Sequence, residues 1–120
     1  MPFYSHASYT VWDNQTLAVG THYSSWLQLI EDRHAHSVNG KFVSTNSVGK
    51  LKLRYQLASM PDVDYAVDQG TVFAPQTDTG SPFLKTMQLR PSYYIRFVAE
   101  VTMDSLTGCT IIFNQTGKGS

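Results

Sequence analysis

Several features that would assign this chain to a familiar class are scarce or missing. The 120 residues contain one cysteine, Cys109, which excludes an intramolecular disulfide. No apolar run approaches the roughly 20 residues that a membrane-spanning helix needs. The N-terminus lacks the basic start and apolar core of a signal peptide. We therefore expect a protein that is made in the cytoplasm, does not enter a membrane and is not secreted by the classical route.

Charge of one sign is not in excess either. Nine basic and nine acidic residues give a formal net charge of zero. Nucleic-acid binding normally requires a basic surface, so the composition predicts no nucleic-acid partner. A net charge of zero also removes the repulsion that keeps monomers apart, which favours self-association.

Catalytic and cofactor motifs are missing as well. The sequence has no nucleophile elbow, no glycine-rich phosphate loop and no cysteine paired with a histidine in a recognisable setting. We predict a protein that is not an enzyme and that needs no cofactor. Cys109 alternates with Ile111 and Phe113, which indicates a small buried hydrophobic side chain rather than a reactive thiol.

The strongest structural signal that is present is a two-residue period over residues 93–103. Apolar side chains occupy every second position and alternate with mostly polar ones. The apolar set is Tyr93, Ile95, Phe97, Ala99, Val101 and Met103. This alternation is typical of a strand with one face in the core and one in water. Arg90-Pro91 marks the start, because proline disfavours a helical residue before it. We predict a central strand.

A second clear alternation covers residues 50–57. Its apolar side chains face one way, and its basic and amide side chains face the other. The apolar set is Leu51, Leu53, Tyr55 and Leu57. If this strand neighbours residues 93–103, Lys52 or Arg54 lies opposite Glu100. Such an exposed pair contributes about 0.2–1 kcal/mol.

Shorter strands separated by turns are predicted along the rest of the chain. Residues 10–19 form a strand with a turn at Asp13-Asn14, and further strands cover 24–30 and 34–43. Gly40 inside the last of these indicates a bulge or a close backbone approach. Residues 109–114 are predicted to pair back on 98–103 through a hairpin turn at 104–108. Seven to nine short strands predict an all-β antiparallel β-sandwich, with jelly-roll topology as the leading candidate.

We expect a single domain over residues 1–120, which is long enough to bury one core. Residues 1–10 form either an arm that reaches a neighbouring subunit or an edge strand of the domain's own sheet. Residues 59–82 are rich in proline, glycine and aspartate and predict a long irregular loop region with one short strand at 71–73. Such loops often carry the working surface. Residues 115–120 are expected to be a polar tail.

Two groups of side chains have metal-ligand chemistry. His34 and His36 point to the same face of a predicted strand and could share a metal with a third ligand. The candidates for that ligand are His6, His22, Glu31 and Asp32. Asp62, Asp64 and Asp68 offer carboxylates to Ca²⁺ but lack EF-hand spacing. We favour the alternatives, a histidine pair that titrates near neutral pH at a surface and a solvated acidic turn.

Aromatic side chains are numerous for this length, with seven tyrosines, two tryptophans and six phenylalanines. Tyr55 and Tyr93 fall on predicted inward faces. Others are expected to be exposed, where tyrosine and tryptophan serve protein interfaces or stack on sugars. Their spread along the chain favours an interface. The interface residues that we predict are Phe3, Tyr4, Tyr9, Trp12, Tyr65 and Tyr94.

Five strand segments set the rhythm of the chain between residues 24 and 114. They are Ser24-Ser25-Trp26-Leu27, Gly40-Lys41-Phe42, Gly49-Lys50-Leu51-Lys52-Leu53, Tyr93-Tyr94-Ile95-Arg96-Phe97 and Thr107-Gly108-Cys109-Thr110-Ile111. In this succession the chain resembles the small β-sandwich virion proteins of tailed bacteriophages, which are decoration (cement) and tail-associated proteins. The resemblance implies a non-enzymatic virion protein that assembles, often as a trimer, on a major capsid or tail protein. It carries over no functional residue.

Two other functions stay open at this point. The strand around residues 94–97 is also similar to a late strand of carbohydrate-binding jelly rolls, in which Trp12, Trp26 or Tyr65 would stack on sugar rings. A small cupin-like metal protein, resting on His34 and His36, is the third reading. We favour a capsid decoration protein.

Overall fold

The structure, a computed structural model, describes residues 4–30, 35–44, 48–76, 82–89 and 92–118, with the side chains of residues 4–6, 76 and 118 excepted. Within these ranges the chain forms nine strands and one single-turn 3-10 helix, Val63–Tyr65. The strands are β1 (Tyr4–Leu17), β2 (Gly20–Tyr23), β3 (Leu27–Gln28), β4 (Ala35–Ser44), β5 (Lys50–Ala58), β6 (Val67–Gln76), β7 (Phe83–Met87), β8 (Tyr94–Thr102) and β9 (Leu106–Lys118). No helix in the described part of the chain has the length and hydropathy to span a membrane.

The strands form two antiparallel sheets that pack face to face. Sheet A has the order β1-β9-β4-β7, and sheet B has the order β2-β8-β5-β6, with β3 also paired to β8. Every connection except β2–β3 and β5–β6 crosses from one sheet to the other. This is the strand order of a jelly roll. The structure therefore confirms the predicted all-β antiparallel β-sandwich.

β8 occupies the centre of sheet B, between β5 and the edge strands β2 and β3. Its inward side chains, Ile95, Phe97, Ala99 and Val101, are almost completely buried, which confirms the predicted central strand. The prediction is wrong at both ends, because Tyr93 and Met103 are 69% and 71% exposed. Both lie just outside the strand, and Met103 has a left-handed backbone (φ 73°) that ends the alternation.

β5 follows its alternation as predicted and pairs with β8. Leu51, Leu53 and Leu57 are buried, and Tyr55 packs against the core. Lys52 lies directly opposite Glu100 in the β5–β8 register. The period of two therefore placed both the core face and the charged face of this strand correctly.

β9 is the main correction to the predicted topology. It pairs with β1 and β4 in sheet A and not with β8, because the connection at residues 103–105 crosses the sandwich instead of making a hairpin. β9 also continues to Lys118, so residues 115–118 are not the expected polar tail. Gln115 is fully buried. A crossing and a hairpin both need only a short polar connection, so the sequence pattern did not distinguish them.

Two edge strands are longer than expected. β6 covers Val67–Gln76 within the segment predicted to be irregular. Its register against β5 shifts three times, and an edge strand tolerates such bulges and Pro75. β1 runs through the turn expected at Asp13-Asn14: Asn14 takes a left-handed backbone (φ 50°) at a bulge and its N–H donates to Thr110 Oγ1 (3.0 Å).

The remaining expected strands differ in their fit. β4 covers most of the segment expected at 34–43, and a Cβ on Gly40 would collide with the backbone oxygen of Thr110 in β9. The predicted close backbone approach is thus confirmed. Of the strand expected over residues 24–30, only β3 is present. Residues 24–26 run alongside β8 but form no continuous ladder of backbone hydrogen bonds with it.

Candidate interaction surface

A connected row of charged and amide side chains crosses the outer face of sheet B. Glu100 Oε1 accepts a hydrogen bond from Arg54 Nε at 3.1 Å, and Glu100 Oε2 lies 3.8 Å from Lys52 Nζ. The pairing predicted for Glu100 is therefore present with both cations. Arg54 Nη1 also contacts Asp68 Oδ1 at 2.6 Å. Burial alone would lower the pKa of Arg54, but its hydrogen bond to Glu100 and the charges of Asp68 and Glu100 raise it.

Gln56 links this row to Arg96 on β8. Its Nε2 donates to Asp68 Oδ1 at 2.8 Å, and its Oε1 accepts from Arg96 Nε at 2.7 Å. Gln56 lies directly opposite Arg96 in the β5–β8 register and is only 9% exposed. The position of the Arg96 guanidinium is therefore set by an amide that is itself held in place.

Two aromatic rings cover the Arg96 guanidinium. The centroid of the Tyr23 ring lies 4.5 Å from Arg96 Cζ, and that of the Trp26 ring lies 4.8 Å away. Both distances are in the cation–π range. We call Tyr23, Trp26 and Arg96 the Arg96 cluster. Val98 was expected to face water on this strand, but it is fully buried on a face that Tyr23 and Arg54 flank in register.

Ser24 holds the connection that carries Trp26 against β8. Its backbone N–H donates to the carbonyl of Phe97 at 2.9 Å, and its Oγ accepts from the Phe97 N–H at 2.8 Å. The hydroxyl thus takes the place of a missing ladder partner. This pair of bonds fixes residues 24–26 beside β8, so that Tyr23 and Trp26 can reach the same guanidinium.

The Nη groups of Arg96 have no partner among the described residues. The ion pairs in the described part of the chain involve Arg54 and Lys52 but not Arg96. The only hydrogen bond that Arg96 makes to a described residue comes from its Nε. An arginine with free Nη–H groups presents a planar pair of donors that matches a carboxylate. The cluster can therefore bind an anionic group from outside the domain.

A second feature is the acidic turn, which we define as residues 60–67. It runs from the connection after β5 to the first residue of β6. Large hydrophobic side chains of this turn are half exposed or more. They are Met60, Val63, Tyr65 and Val67. Asp62 Oδ1 accepts from the N–H of Asp64 (2.9 Å) and caps the 3-10 helix. The Asp64 carboxylate makes no hydrogen bond to a described residue. The turn thus presents apolar side chains and a free carboxylate together.

The predicted interface residues lie in different environments. Tyr65 is half exposed in the acidic turn, and Tyr94 is partly buried on β8, two residues before Arg96. Tyr9 and Trp12 pack against the core of their own domain. Phe3 lies outside the described residues, and Tyr4 begins β1 but its side chain is not described.

With the exception of Asp64, the predicted metal ligands have other partners or side chains that are not described. His34 lies outside the described residues, and His36 stacks on Phe113 with ring centroids 5.8 Å apart. In the acidic segment Asp62 caps the 3-10 helix and Asp68 pairs with Arg54. Among the described residues, no three histidine, cysteine or acidic side chains converge in a way that could hold a metal ion.

Cys109 lies in the interior of sheet A. It is fully buried, and this burial raises the pKa of its thiol to about 12. A thiol with so high a pKa is protonated at neutral pH and is a poor nucleophile. The prediction of a small buried hydrophobic side chain is confirmed.

Only part of the Arg96 cluster could be predicted from the sequence. The alternation of β8 placed Arg96 on the outer face, but Tyr23 ends the short strand β2 and Trp26 lies in the connection after it, and neither segment shows a clear strand period. A usable signal was the pair of aromatic residues three apart beside Ser24, a residue type that often replaces ladder hydrogen bonds. The exposure of Met60 and Val63 has no signal in the sequence, because this segment lacks the alternation that assigns side chains to a face.

No protein-family model and no curated protein sequence matches the chain. Solved structures do match. A chain in the structure of infectious bursal disease virus Gt strain matches with a TM-score of 0.63 and 14% sequence identity. The match covers 93% of this chain and 32% of that one. The SPBc2 prophage-derived protein YomS gives 0.55 at 9% identity, covering 99% and 97%. Dimeric latent PorU from Porphyromonas gingivalis gives 0.55 at 8% identity, covering 97% and 13%.

These similarities differ in how much of the other chain they include. This chain spans about a third of the virus protein's length and a smaller part of PorU, whereas it matches YomS nearly from end to end. At such low identity the likeness establishes the fold alone. The chain therefore shares its jelly-roll fold both with a domain of a viral particle and with a whole prophage-derived protein.

Proposed function

We propose that this protein is a non-enzymatic structural component of a virion. The observation that carries the proposal is the match to YomS, because 97% of a prophage-derived protein and 99% of this chain share one fold. The match to a virus particle over 93% of this chain supports the same function. A fold of this size can thus make up nearly all of the chain of a prophage-derived protein.

The surface supports assembly rather than catalysis. A turn with four large hydrophobic side chains at least half exposed is an unusual surface for a protein that works alone. The Arg96 cluster adds tyrosine, tryptophan and arginine, which are the residue types most enriched at interface hot spots. The formal net charge of zero sets no long-range repulsion against self-association.

In finer detail, we propose a decoration or cement protein that binds as a homotrimer to a major capsid or tail protein. It would be made in the host cytoplasm and reside in the virion. Tyr65 would contribute from the acidic turn and Tyr94 from β8, two residues before Arg96, whereas Tyr4, Tyr9 and Trp12 would contribute through β1. Phe3 is proposed as a further contact of the same interface. The whole of residues 1–120 would act as one β-sandwich domain.

A sugar-binding function has less support. The Trp26 ring contacts the Arg96 guanidinium and Trp12 packs against the core, so both rings are partly covered by their own domain. Of the three proposed stacking residues, Tyr65 alone has a largely exposed side chain. Sugar binding by jelly rolls normally needs an open aromatic platform.

Native mass spectrometry and light scattering at micromolar concentration test the proposal, together with co-sedimentation on particles of the capsid protein encoded nearest to its gene. We expect a discrete oligomer that sediments with the particles. Val63→Ser should weaken both results. Leu84→Ser is the matched control, because Leu84 is 67% exposed but lies on β7, in the sheet that carries neither the acidic turn nor the Arg96 cluster. A strict monomer that stays in the supernatant contradicts the proposal.

A further inference from the structure

We propose that the Arg96 cluster is the docking site for the acidic turn of a second copy of this chain. In this contact the Asp64 carboxylate binds the Nη groups of Arg96, and Val63 and Tyr65 pack against the rings of Tyr23 and Trp26. The inference rests on the proposed function, since it requires self-association, and it names the two surfaces that meet.

The Arg96 cluster is already ordered for binding. Hydrogen bonds fix the guanidinium through Gln56 and Asp68, and two rings cover it at 4.5 and 4.8 Å. Ordering a free arginine side chain on binding opposes association by about 0.5–1.5 kcal/mol. Here most of that ordering is complete in the free domain, as it is at many hot spots.

Arg54 and Arg96 lie on the same face of sheet B but differ in whether a carboxylate of their own domain pairs with them. Arg54 contacts both Glu100 and Asp68, so its charge is compensated inside the domain. Arg96 has an amide and two rings but no carboxylate among the described residues. A fixed guanidinium with free donors is complementary to a carboxylate from another molecule. The missing partner is therefore an acid.

The acidic turn is the segment of the described chain that combines a free acid with exposed apolar side chains. Glu100 and Asp68 already pair with cations, and Asp104 accepts from the N–H of Ser105. Asp13 is exposed, but the neighbours that follow it, residues 14–16, are polar and exposed as well. Val63 and Tyr65, which flank Asp64, are 62% and 50% exposed.

The two surfaces belong to different parts of one copy. Val67 pairs with Leu57 near the end of the β5–β6 hairpin, so the acidic turn lies beyond that end. Arg96 lies on β8. Strand β5, which carries Gln56, separates β8 from β6. Contact between different patches of identical copies is heterologous and closes into a ring when the rotation permits. A cyclic trimer is such a ring.

Charge reversal across the contact tests the inference. Arg96→Glu and Asp64→Lys should each raise the dissociation constant for self-association at least tenfold. The double variant Arg96→Glu/Asp64→Lys should restore association, because every reversed turn then meets a reversed cluster in a ring of any size. Lys41→Glu, on the outer face of sheet A, and Asp13→Lys are matched controls that should associate like the unmodified protein.

Circular dichroism and thermal melting show whether each variant folds. Since the carboxylate of the Arg96→Glu variant cannot donate to Gln56, Arg96→Gln is a second variant, which keeps an amide donor and removes the charge together with the Nη groups. It should also weaken association tenfold. Unchanged association of the folded Arg96 and Asp64 variants overturns the inference, as does a folded double variant that fails to associate. In both cases an oligomer that still binds particles leaves the proposed function standing. An unmodified protein that is monomeric but binds particles overturns the inference and the proposed homotrimer, and it leaves the role in the virion standing.

Discussion

The outer faces of the two sheets come from the same kind of alternating strand but have different chemistry. On sheet A, Asn114 of β9 accepts a hydrogen bond from Ser8 Oγ (2.7 Å) and donates to Asn39 Oδ1 (2.8 Å) and to Ser37 Oγ (3.3 Å). Three strands are thus joined by uncharged side chains. On sheet B, charged side chains of β5, β6 and β8 form the row that ends at Arg96.

The difference lies in what each face leaves unsatisfied. The Asn114 amide of sheet A uses both its oxygen and its nitrogen within the domain. The row on sheet B leaves the Nη groups of Arg96 without a described partner. A neutral face held by internal bonds stabilises the sheet, whereas a charged face with a free, fixed donor pair is suited to recognition. The outer face of sheet A is therefore satisfied within the domain, whereas the outer face of sheet B carries the proposed binding surface.

The largest expected effect is that of Gly40→Ala in sheet A, which we compare with the substitution of a glycine in sheet B. Gly40→Ala places a Cβ against the backbone oxygen of Thr110 and forces β4 away from β9, the central pair of sheet A. We expect a loss of about 3 kcal/mol in the free energy of unfolding. Urea denaturation followed by circular dichroism measures it.

Gly70→Ala on edge strand β6 is the matched control. Its new Cβ would lie 3.6 Å from the Tyr55 ring, an ordinary contact. We expect a change within about 0.5 kcal/mol. Equal effects of the two substitutions would contradict the close packing of β4 on β9.

The next effect separates the inner and outer faces of β9. Gln115 is buried, and its Oε1 accepts from the N–H of Ile30 (2.9 Å) while its Nε2 donates to the carbonyl of Gln28 (3.1 Å). Gln115→Leu leaves both backbone groups without these partners and should lower the free energy of unfolding by about 2 kcal/mol. Thermal and urea unfolding measure the loss.

Asn114→Leu, one residue earlier, makes the same kind of change on the outer face. Water can replace its lost hydrogen bonds, so the expected loss is below about 1 kcal/mol. A larger loss at position 114 than at 115 would reverse the ranking of the two faces.

The sequence predicted those parts of the fold that depend on local period. The inward faces of β5 and β8 were predicted because alternate residues must share one face. Pairing those faces predicted that Lys52 or Arg54 lies opposite Glu100, and the register assigns that position to Lys52. The close approach at Gly40 was predicted because a residue without a side chain stands in an otherwise alternating strand.

The parts that failed depend on the path of the chain. Residues 103–105 connect β8 to β9 across the sandwich, and nothing in their composition separates a crossing from a hairpin. Asn14 was read as a turn because asparagine adopts the left-handed backbone, but the same conformation occurs at a bulge within β1. The Arg96 cluster joins β2, β8 and a connection, so only the tertiary fold brings it together.

A pH effect follows from the burial of Cys109 in sheet A. Its thiol has a pKa of about 12 in the folded protein, against 9.0 for an unperturbed thiol. Between these values the unfolded chain releases a proton that the folded chain keeps, so stability falls as the pH rises. This contributes about 1 kcal/mol of loss at pH 10. No contribution from the thiol is expected at pH 7.

Cys109→Ala isolates this effect, because the lysines and tyrosines of both proteins titrate alike. The difference in unfolding free energy between the unmodified protein and the variant should be about 1 kcal/mol smaller at pH 10 than at pH 7. A difference that is constant with pH would show that the thiol is not shielded from water.

The smallest expected effect compares the two cations on Glu100. Arg54 Nε lies 3.1 Å from Glu100 Oε1, and its side chain is 22% exposed; Lys52 Nζ lies 3.8 Å from Oε2, and its side chain is 37% exposed. Double-mutant cycles with Glu100→Gln and either Arg54→Met or Lys52→Met should give coupling energies of about 0.5–1 kcal/mol for Arg54 and at most about 0.3 kcal/mol for Lys52. Because Asp68 remains in every member of the cycle, its pairing with Arg54 cancels unless the Glu100 substitution shifts the guanidinium.

Raising the salt concentration to 0.5 M should reduce the Lys52 coupling by the larger fraction, since the more exposed pair is screened more strongly. Equal couplings with equal salt dependence would mean that the row on sheet B is a diffuse charged surface rather than a fixed chain of contacts that orders Arg96.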